Sequence, residues 1–134
     1  HLCGKDKVDN MMLDIKGYKQ FEYLNDELKD VYALADIVIS RAGANAIMEI
    51  LALSKPNILI PLASGSRGDQ LLNAASFEEK GYSMVIKEEA LDPSCMIDTI
   101  NKLYENREEY IANMKKQAAI NPVDKIIGII LEEI

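Results

Sequence analysis

Short apolar runs alternate along the chain with longer segments whose apolar residues recur at helical spacing. The runs at residues 37–39 and 57–61 are nearly continuous, which is typical of strands buried on both faces of a parallel sheet. Residues 83–86 predict another such strand, and the loose aromatic alternation at 18–23 predicts one nearer the start. The strands are therefore expected to be separated by helices and to pair in parallel.

Helical segments fill the intervals between these runs. Gly81 is placed to end the third helix, and a tail that is helical throughout, with breaks near residues 92, 106 and 121, follows the last strand. The alternation predicts an α/β fold: a Rossmann-like parallel sheet with flanking helices, followed by this tail. Three helices are predicted before the tail. The first is capped by Asn25 or Asp26 and has apolar positions between Leu28 and Ala35, and the others cover residues 44–53 and about 68–80.

Composition narrows the class of protein. The 134 residues carry 15 basic and 22 acidic side chains, a net charge of −7, and 49% of them are hydrophobic. These values predict one globular domain over 1–134, and the acidic charge argues against nucleic acid as a partner. No apolar run reaches the roughly 20 residues that span a bilayer. Cys3 and Cys95 lack paired neighbours, so we expect reduced thiols in a cytosolic protein and neither a disulfide nor a zinc site.

The loop after the first buried run is a candidate ligand site, because open parallel sheets bind ligands at the carboxyl ends of their strands. Small residues at 42–44 let a ligand approach the start of the next helix, whose free N–H groups favour a phosphate. Asn45 and Glu49 share one face of that helix, and a carboxylate can accept two ribose hydroxyls. The alternative is a tight turn of small residues with Glu49 as a solvated charge.

The loop after the second run is the other candidate site. Asp69 and Gln70 begin a helix, and both can hydrogen-bond sugar hydroxyls, with Gln70 able to donate as well as accept. The simpler alternative is that Asp69 caps the helix and Gln70 is solvated. Arg67, Glu88 and Glu89 are interpreted as solvated charges, and we expect replacement of Glu88 to have no effect on ligand binding.

The order of these pieces resembles the C-terminal half of the MurG family, glycosyltransferases that convert lipid I to lipid II in peptidoglycan synthesis. The likeness is strong over residues 2–86, and its most specific part places Glu49 six residues after Gly43. The segments that carry it are ADIVISRAGANAIMEI, KPNILIP, GDQLLNA and FEEKGYSMVI, preceded by HLCGK and FEYLNDELKDVYALAD.

The resemblance implies which residues would bind the phosphates and ribose of a donor. In this interpretation Gly43, Ala44 and Asn45 form the turn that faces the donor diphosphate, and Glu49 holds the ribose hydroxyls. Ala46 stands where many members of the family carry Thr, so one hydroxyl that could bind phosphate is missing.

The resemblance also implies contacts with the two ends of the donor. Gln70 matches a glutamine that contacts the sugar hydroxyls, and Asp69 is assigned the same role from its hydrogen-bonding capacity. The backbone near Leu24 and Asn25 matches the segment that reads the uracil base.

By the same resemblance, the chain is the UDP-N-acetylglucosamine-binding part of a two-domain GT-B enzyme. The catalytic base and the lipid I acceptor site would belong to an N-terminal domain that is missing. Transfer would be inverting, with no metal and no other cofactor, and the intact enzyme would be peripheral on the cytoplasmic face of the membrane. Alternatives are the catalytic subunit of a split UDP-N-acetylglucosamine transferase and a non-enzymatic flavodoxin-like module.

A truncated start has an expected structural consequence. The missing first strand of the domain would lie beside residues 37–40, so its loss would expose an apolar strand edge. Unpaired backbone groups at such an edge recruit other strands. We therefore expect either that residues 18–23 move beside this strand or that two copies of the fragment pair as a homodimer.

Overall fold

The computed structural model describes residues 1–64 and 67–118, together with positions 127, 130 and 131. The chain divides into two compact units, His1–Leu34 and Ala35–Ile134. The first unit contains a 3₁₀ turn at Asn10–Met12 and helix α1 (Leu28–Leu34). Its only regular pairing among the described residues is a parallel bridge between Leu2 and Phe21.

The predicted strand at 18–23 is therefore wrong, and so is its expected place beside residues 37–40. Phe21 donates its N–H to the carbonyl of His1 (2.8 Å), and its own carbonyl accepts from the N–H of Cys3 (2.9 Å). These two bonds satisfy the backbone groups of Phe21, so this segment pairs with the chain start.

The second unit is built on a parallel three-stranded sheet in the order β1-β2-β3, which confirms the predicted fold class. Its elements lie within about two residues of the predicted bounds. The predicted break near residue 121 lies outside the described residues. The elements are β1 (Val38–Ser40), α2 (Ala44–Ala52), β2 (Asn57–Leu59), α3 (Asp69–Glu79), β3 (Met84–Val85), a 3₁₀ turn (Glu88–Ala90), α4 (Pro93–Glu105) and α5 (Arg107–Ala118).

Helices cover both faces of this sheet, which explains why β2 is buried throughout. Leu59 belongs to an apolar cluster formed with α2, α3 and α5, whereas Ile58 belongs to a second cluster with Leu103 of α4. Successive strand residues point to opposite faces, so the continuous apolar run is what a central strand between two helical layers requires.

The end of α3 follows from the sequence in detail. Gly81 has φ +67°, and its N–H donates to the carbonyl of Glu78, while the N–H of Tyr82 donates to that of Phe77 (both 2.9 Å). These two bonds form a Schellman motif, which favours glycine at the left-handed position. The rings of Phe77 and Tyr82 pack edge to face, with centroids 5.6 Å apart. This turn directs the chain into β3.

Candidate functional site

The carboxyl ends of the three parallel strands lie at one edge of the sheet. Arg41 follows β1, Ile60 follows β2 and Ile86 follows β3, and the backbone bonds Ile60 N–H to Ser40 O (2.9 Å) and Ile86 N–H to Leu59 O (3.0 Å) hold these ends level. Both loops singled out in the sequence leave from this edge, which is where open α/β sheets bind ligands.

The β1–α2 turn leaves room at the start of α2. Gly43 precedes the helix with φ −67° and ψ 142°, and no side chain caps the first turn. A Cβ added to Gly43 would meet no atom within 4 Å, although the preceding Ala42 is fully buried. Neither backbone conformation nor packing within the described residues therefore requires glycine here. The open space lies where α2 presents its free N–H groups and its positive dipole end.

The predicted polar residues of α2 are exposed. Asn45 and Glu49 lie one helical turn apart, as the spacing predicted. Neither side chain makes a hydrogen bond or ion pair with any residue that the structure describes. The Glu49 carboxylate is therefore available to an external hydrogen-bond donor.

The β2–α3 loop enters α3 through two left-handed residues, Arg67 (φ +46°) and Gly68 (φ +82°). Asp69 begins α3 and is exposed, whereas Gln70 is half-buried. The Gln70 Oε1 atom accepts a hydrogen bond from the backbone N–H of Leu62 (3.1 Å). Because its oxygen already accepts a hydrogen bond within the loop, the Nε2 donors of Gln70 are the groups left for a further partner.

Asn73 links the two loops. Its Nδ2 atom donates to the carbonyl of Ala42 at 3.0 Å, which attaches α3 to the β1–α2 turn. The sequence analysis gave Asn73 no role of its own. The available signal was its spacing, since Asn73 lies three residues after Gln70 and therefore on the same side of the helix.

The prediction that Glu88 is a solvated charge is wrong. Its Oε1 atom accepts from Nη1 of Arg41 at 2.6 Å, and its Oε2 atom accepts from the backbone N–H of Ala63 at 3.2 Å. The Ala63 bond first, and the Arg41 guanidinium second, hold the pKa of the Glu88 carboxyl below its usual value. Nothing in the sequence pattern distinguishes Glu88 from its exposed neighbour Glu89.

Leu24 and Asn25 belong to the first compact unit. Leu24 is half-buried and Asn25 is exposed. The carbonyl of Asn25 accepts from the N–H of Leu28 at 3.1 Å, so it helps to begin α1.

A shallow cavity of about 250 Å³ lies away from the strand ends just described. Lys80 and Tyr82, two of its lining residues, precede β3 and so lie near the amino ends of the strands. The carboxyl end of α3 is adjacent, and its negative dipole end does not favour a phosphate. Among the described residues, no three His, Cys, Asp or Glu side chains group closely enough to hold a metal ion. No helix in the described part of the chain is long and apolar enough to cross a membrane.

The parallel sheet, with helices on both faces and two loops at the carboxyl ends of its strands, defines a Rossmann-like α/β unit. The chain belongs to glycosyltransferase family 28, since the sequence model of that family's C-terminal domain matches residues 1–128. This membership leaves the flavodoxin-like alternative without support.

Two curated relatives carry the name UDP-N-acetylglucosamine–N-acetylmuramyl-(pentapeptide) pyrophosphoryl-undecaprenol N-acetylglucosamine transferase. The protein from Lachnoclostridium phytofermentans is 58% identical over 98% of this chain, and the one from Clostridium botulinum is 56% identical over 97%. The chain spans 38% and 37% of their respective lengths.

A solved structure shows the same fold. The crystal structure of Acinetobacter baumannii MurG matches 98% of this chain with a TM-score of 0.76, at 20% sequence identity. The chain covers 40% of that protein. The family match and the curated relatives confirm the resemblance to the MurG family inferred from the sequence, and this structure agrees in fold.

Proposed function

We propose that residues 1–134 belong to the donor-binding domain of a hexosyltransferase. Its donor is UDP-N-acetylglucosamine and its acceptor is undecaprenyl-pyrophosphoryl-N-acetylmuramoyl-pentapeptide, lipid I. The names of the relatives support this reaction, and the family match supports the assignment of this chain to the donor side. Because the chain spans less than two-fifths of those relatives, the acceptor site and the catalytic base are assigned to residues outside it.

The observation that carries the proposal is the open turn at the start of α2. Gly43 has space around it, the first helical turn has no side-chain cap, and Glu49 has no partner within the described part of the chain. A diphosphate at Gly43, Ala44 and Asn45 would accept hydrogen bonds from the free N–H groups, and the ribose hydroxyls would donate hydrogen bonds to Glu49.

The two ends of the donor are assigned to other segments. The Nε2 group of Gln70 donates to a hydroxyl of the N-acetylglucosamine ring, with the exposed Asp69 accepting from the same sugar. The backbone at Leu24 and Asn25 reads the uracil edge. All of these assignments rest on the family resemblance. Those of Asp69 and Gln70 rest also on side-chain groups that have no partner among the described residues.

The chemical role of this domain is to stabilise the leaving group. An acceptor hydroxyl attacks the anomeric carbon, the bond to the diphosphate breaks, and the configuration inverts. Negative charge then develops on the diphosphate of UDP, where the dipole and N–H groups of α2 stabilise it without a metal or another cofactor. The intact enzyme would act as a peripheral protein on the cytoplasmic face of the membrane. Pairing of two copies along β1 stays a prediction.

The ribose contact supplies the direct test. Calorimetric titration should show that the chain binds UDP more tightly than 2′-deoxy-UDP, and that Glu49→Ala weakens UDP binding by about 10-fold or more, as expected for hydrogen bonds to a charged group. In Glu49→Ala, the preference for UDP over the deoxynucleotide should disappear.

Glu105→Ala is the matched control, because Glu105 is an exposed glutamate of α4, on the other face of the sheet. It should bind both nucleotides like the unmodified chain. If Glu49→Ala retains the affinity and the preference, Glu49 does not hold the ribose. If the unmodified chain binds neither nucleotide, the donor-binding proposal is refuted.

A further inference from the structure

Glu88 joins three segments, each of which follows a different strand. It lies beyond β3 and accepts hydrogen bonds from Arg41, just after β1, and from Ala63, beyond β2. The same Nη1 atom of Arg41 also donates to the carbonyl of Ile60 at 3.1 Å. The ion pair is partly shielded, with 32% of the Glu88 side chain and 50% of the Arg41 side chain exposed.

This anchoring point is adjacent to the one that orients Gln70. The N–H of Ala63 donates to Glu88, and the N–H of the preceding Leu62 donates to Oε1 of Gln70. Two consecutive backbone donors of one loop are therefore bound by two side chains from different parts of the chain. The bond to Glu88 fixes the peptide group between Leu62 and Ala63. It thereby restricts Leu62, whose N–H donates to Gln70, and so the side-chain oxygen of Gln70 is held in place as well.

The same loop enters α3 through a strained residue. Before α3 it passes through the left-handed residues Arg67 and Gly68, and a non-glycine residue in that region is strained. Without the bond to Glu88, Leu62 and Ala63 would be free to adopt other conformations, in which the Gln70 amide would lose its fixed orientation.

We propose that Glu88 is a positioning residue for recognition of the donor sugar. By binding Ala63 and Arg41 at once, it fixes the loop that directs the Nε2 donors of Gln70, and so favours UDP-N-acetylglucosamine over UDP. The inference rests on the proposed function, because it assumes that Gln70 contacts the sugar.

The experiment compares the affinities of the two ligands in each variant of the full chain by calorimetry. Glu88→Ala should weaken binding of UDP-N-acetylglucosamine by about tenfold, or ~1.4 kcal/mol, and that of UDP by less than about twofold, or ~0.4 kcal/mol. Glu88→Gln keeps an oxygen acceptor for Ala63 and should recover part of the loss. Glu89→Ala removes the exposed neighbouring charge and should bind both ligands like the unmodified chain.

A double-mutant cycle with Gln70→Ala separates positioning from a general loss of stability. If Glu88 acts through Gln70, Glu88→Ala should have no further effect on the ratio of the two affinities once Gln70 is replaced. Equal weakening of both ligands, or additive effects of the two substitutions, would overturn the inference and leave the proposed function standing. An unmodified chain that binds neither ligand would refute the proposed function and this inference together. If Glu88→Ala does not fold, the cycle with Glu88→Gln decides.

Discussion

Replacement of Asn57 should destabilise the protein strongly, although the residue lies far from the candidate site. Asn57 is completely buried at the start of β2. Its Nδ2 atom donates to the carbonyls of Lys55 and Tyr82, both at 3.0 Å, and its Oδ1 atom accepts from Oγ of Ser83 at 2.6 Å. No buried side-chain polar atom among the described residues lacks a hydrogen-bond partner, so this network is fully satisfied.

The magnitude follows from counting these bonds. Asn57→Ala removes three hydrogen bonds, each worth about 1 kcal/mol net, and leaves the buried Ser83 hydroxyl without its acceptor, which adds about 1–3 kcal/mol. The free energy of unfolding should therefore fall by about 4–6 kcal/mol, a large part of the ~5–15 kcal/mol that is typical of a domain. Ser83→Ala breaks one bond and should cost about 1–3 kcal/mol.

Urea unfolding of the single and double variants tests this reasoning. The double variant should be more stable than the sum of the single losses predicts, by about 1–2 kcal/mol, because no hydroxyl is then left unpaired. Asn101→Ala is the control, since Asn101 is an exposed asparagine of α4, and it should change stability by less than about 0.5 kcal/mol. A loss below about 1 kcal/mol for Asn57→Ala, or strict additivity, would refute the account of a coupled buried network.

Two further predictions concern backbone conformation and acid stability. Gly81→Ala should lower the free energy of unfolding by about 1–3 kcal/mol, since φ is +67° and the new Cβ would lie 2.7 Å from Nδ2 of Asn113. Gly43→Ala should leave thermal stability nearly unchanged and weaken UDP binding. Equal melting temperatures for the two variants would contradict this prediction. The pKa of Glu88 is lowered from its ordinary value of 4.5, so its carboxylate stabilises the fold above that pH and ceases to do so as the pH falls through the lowered pKa. The difference in melting temperature between the unmodified chain and Glu88→Gln should therefore shrink below pH 4.5, and a difference that stays constant in acid would disprove the linkage.

The features that were predicted correctly have local causes. The buried strands follow from continuous apolar runs, and the end of α3 follows from Gly81, because a left-handed residue at that position favours glycine. The strand at 18–23 was wrong because aromatic alternation indicates a strand only when a partner strand is available. In this chain, the only pairing described there is one bridge to Leu2.

The sequence by itself determined the α/β class, the order of the elements from α1 onward and the two candidate loops that follow β1 and β2. Periodicity and turn residues act over a few positions, so they can be read without the fold. Only the tertiary structure decided that Glu88 binds Arg41 and Ala63, and that Gln70 turns its oxygen inward to Leu62. These partners are separated along the chain and meet because parallel strands bring their carboxyl ends to one edge. Pairing of that kind depends on three-dimensional distance, which has no periodic signature in the sequence.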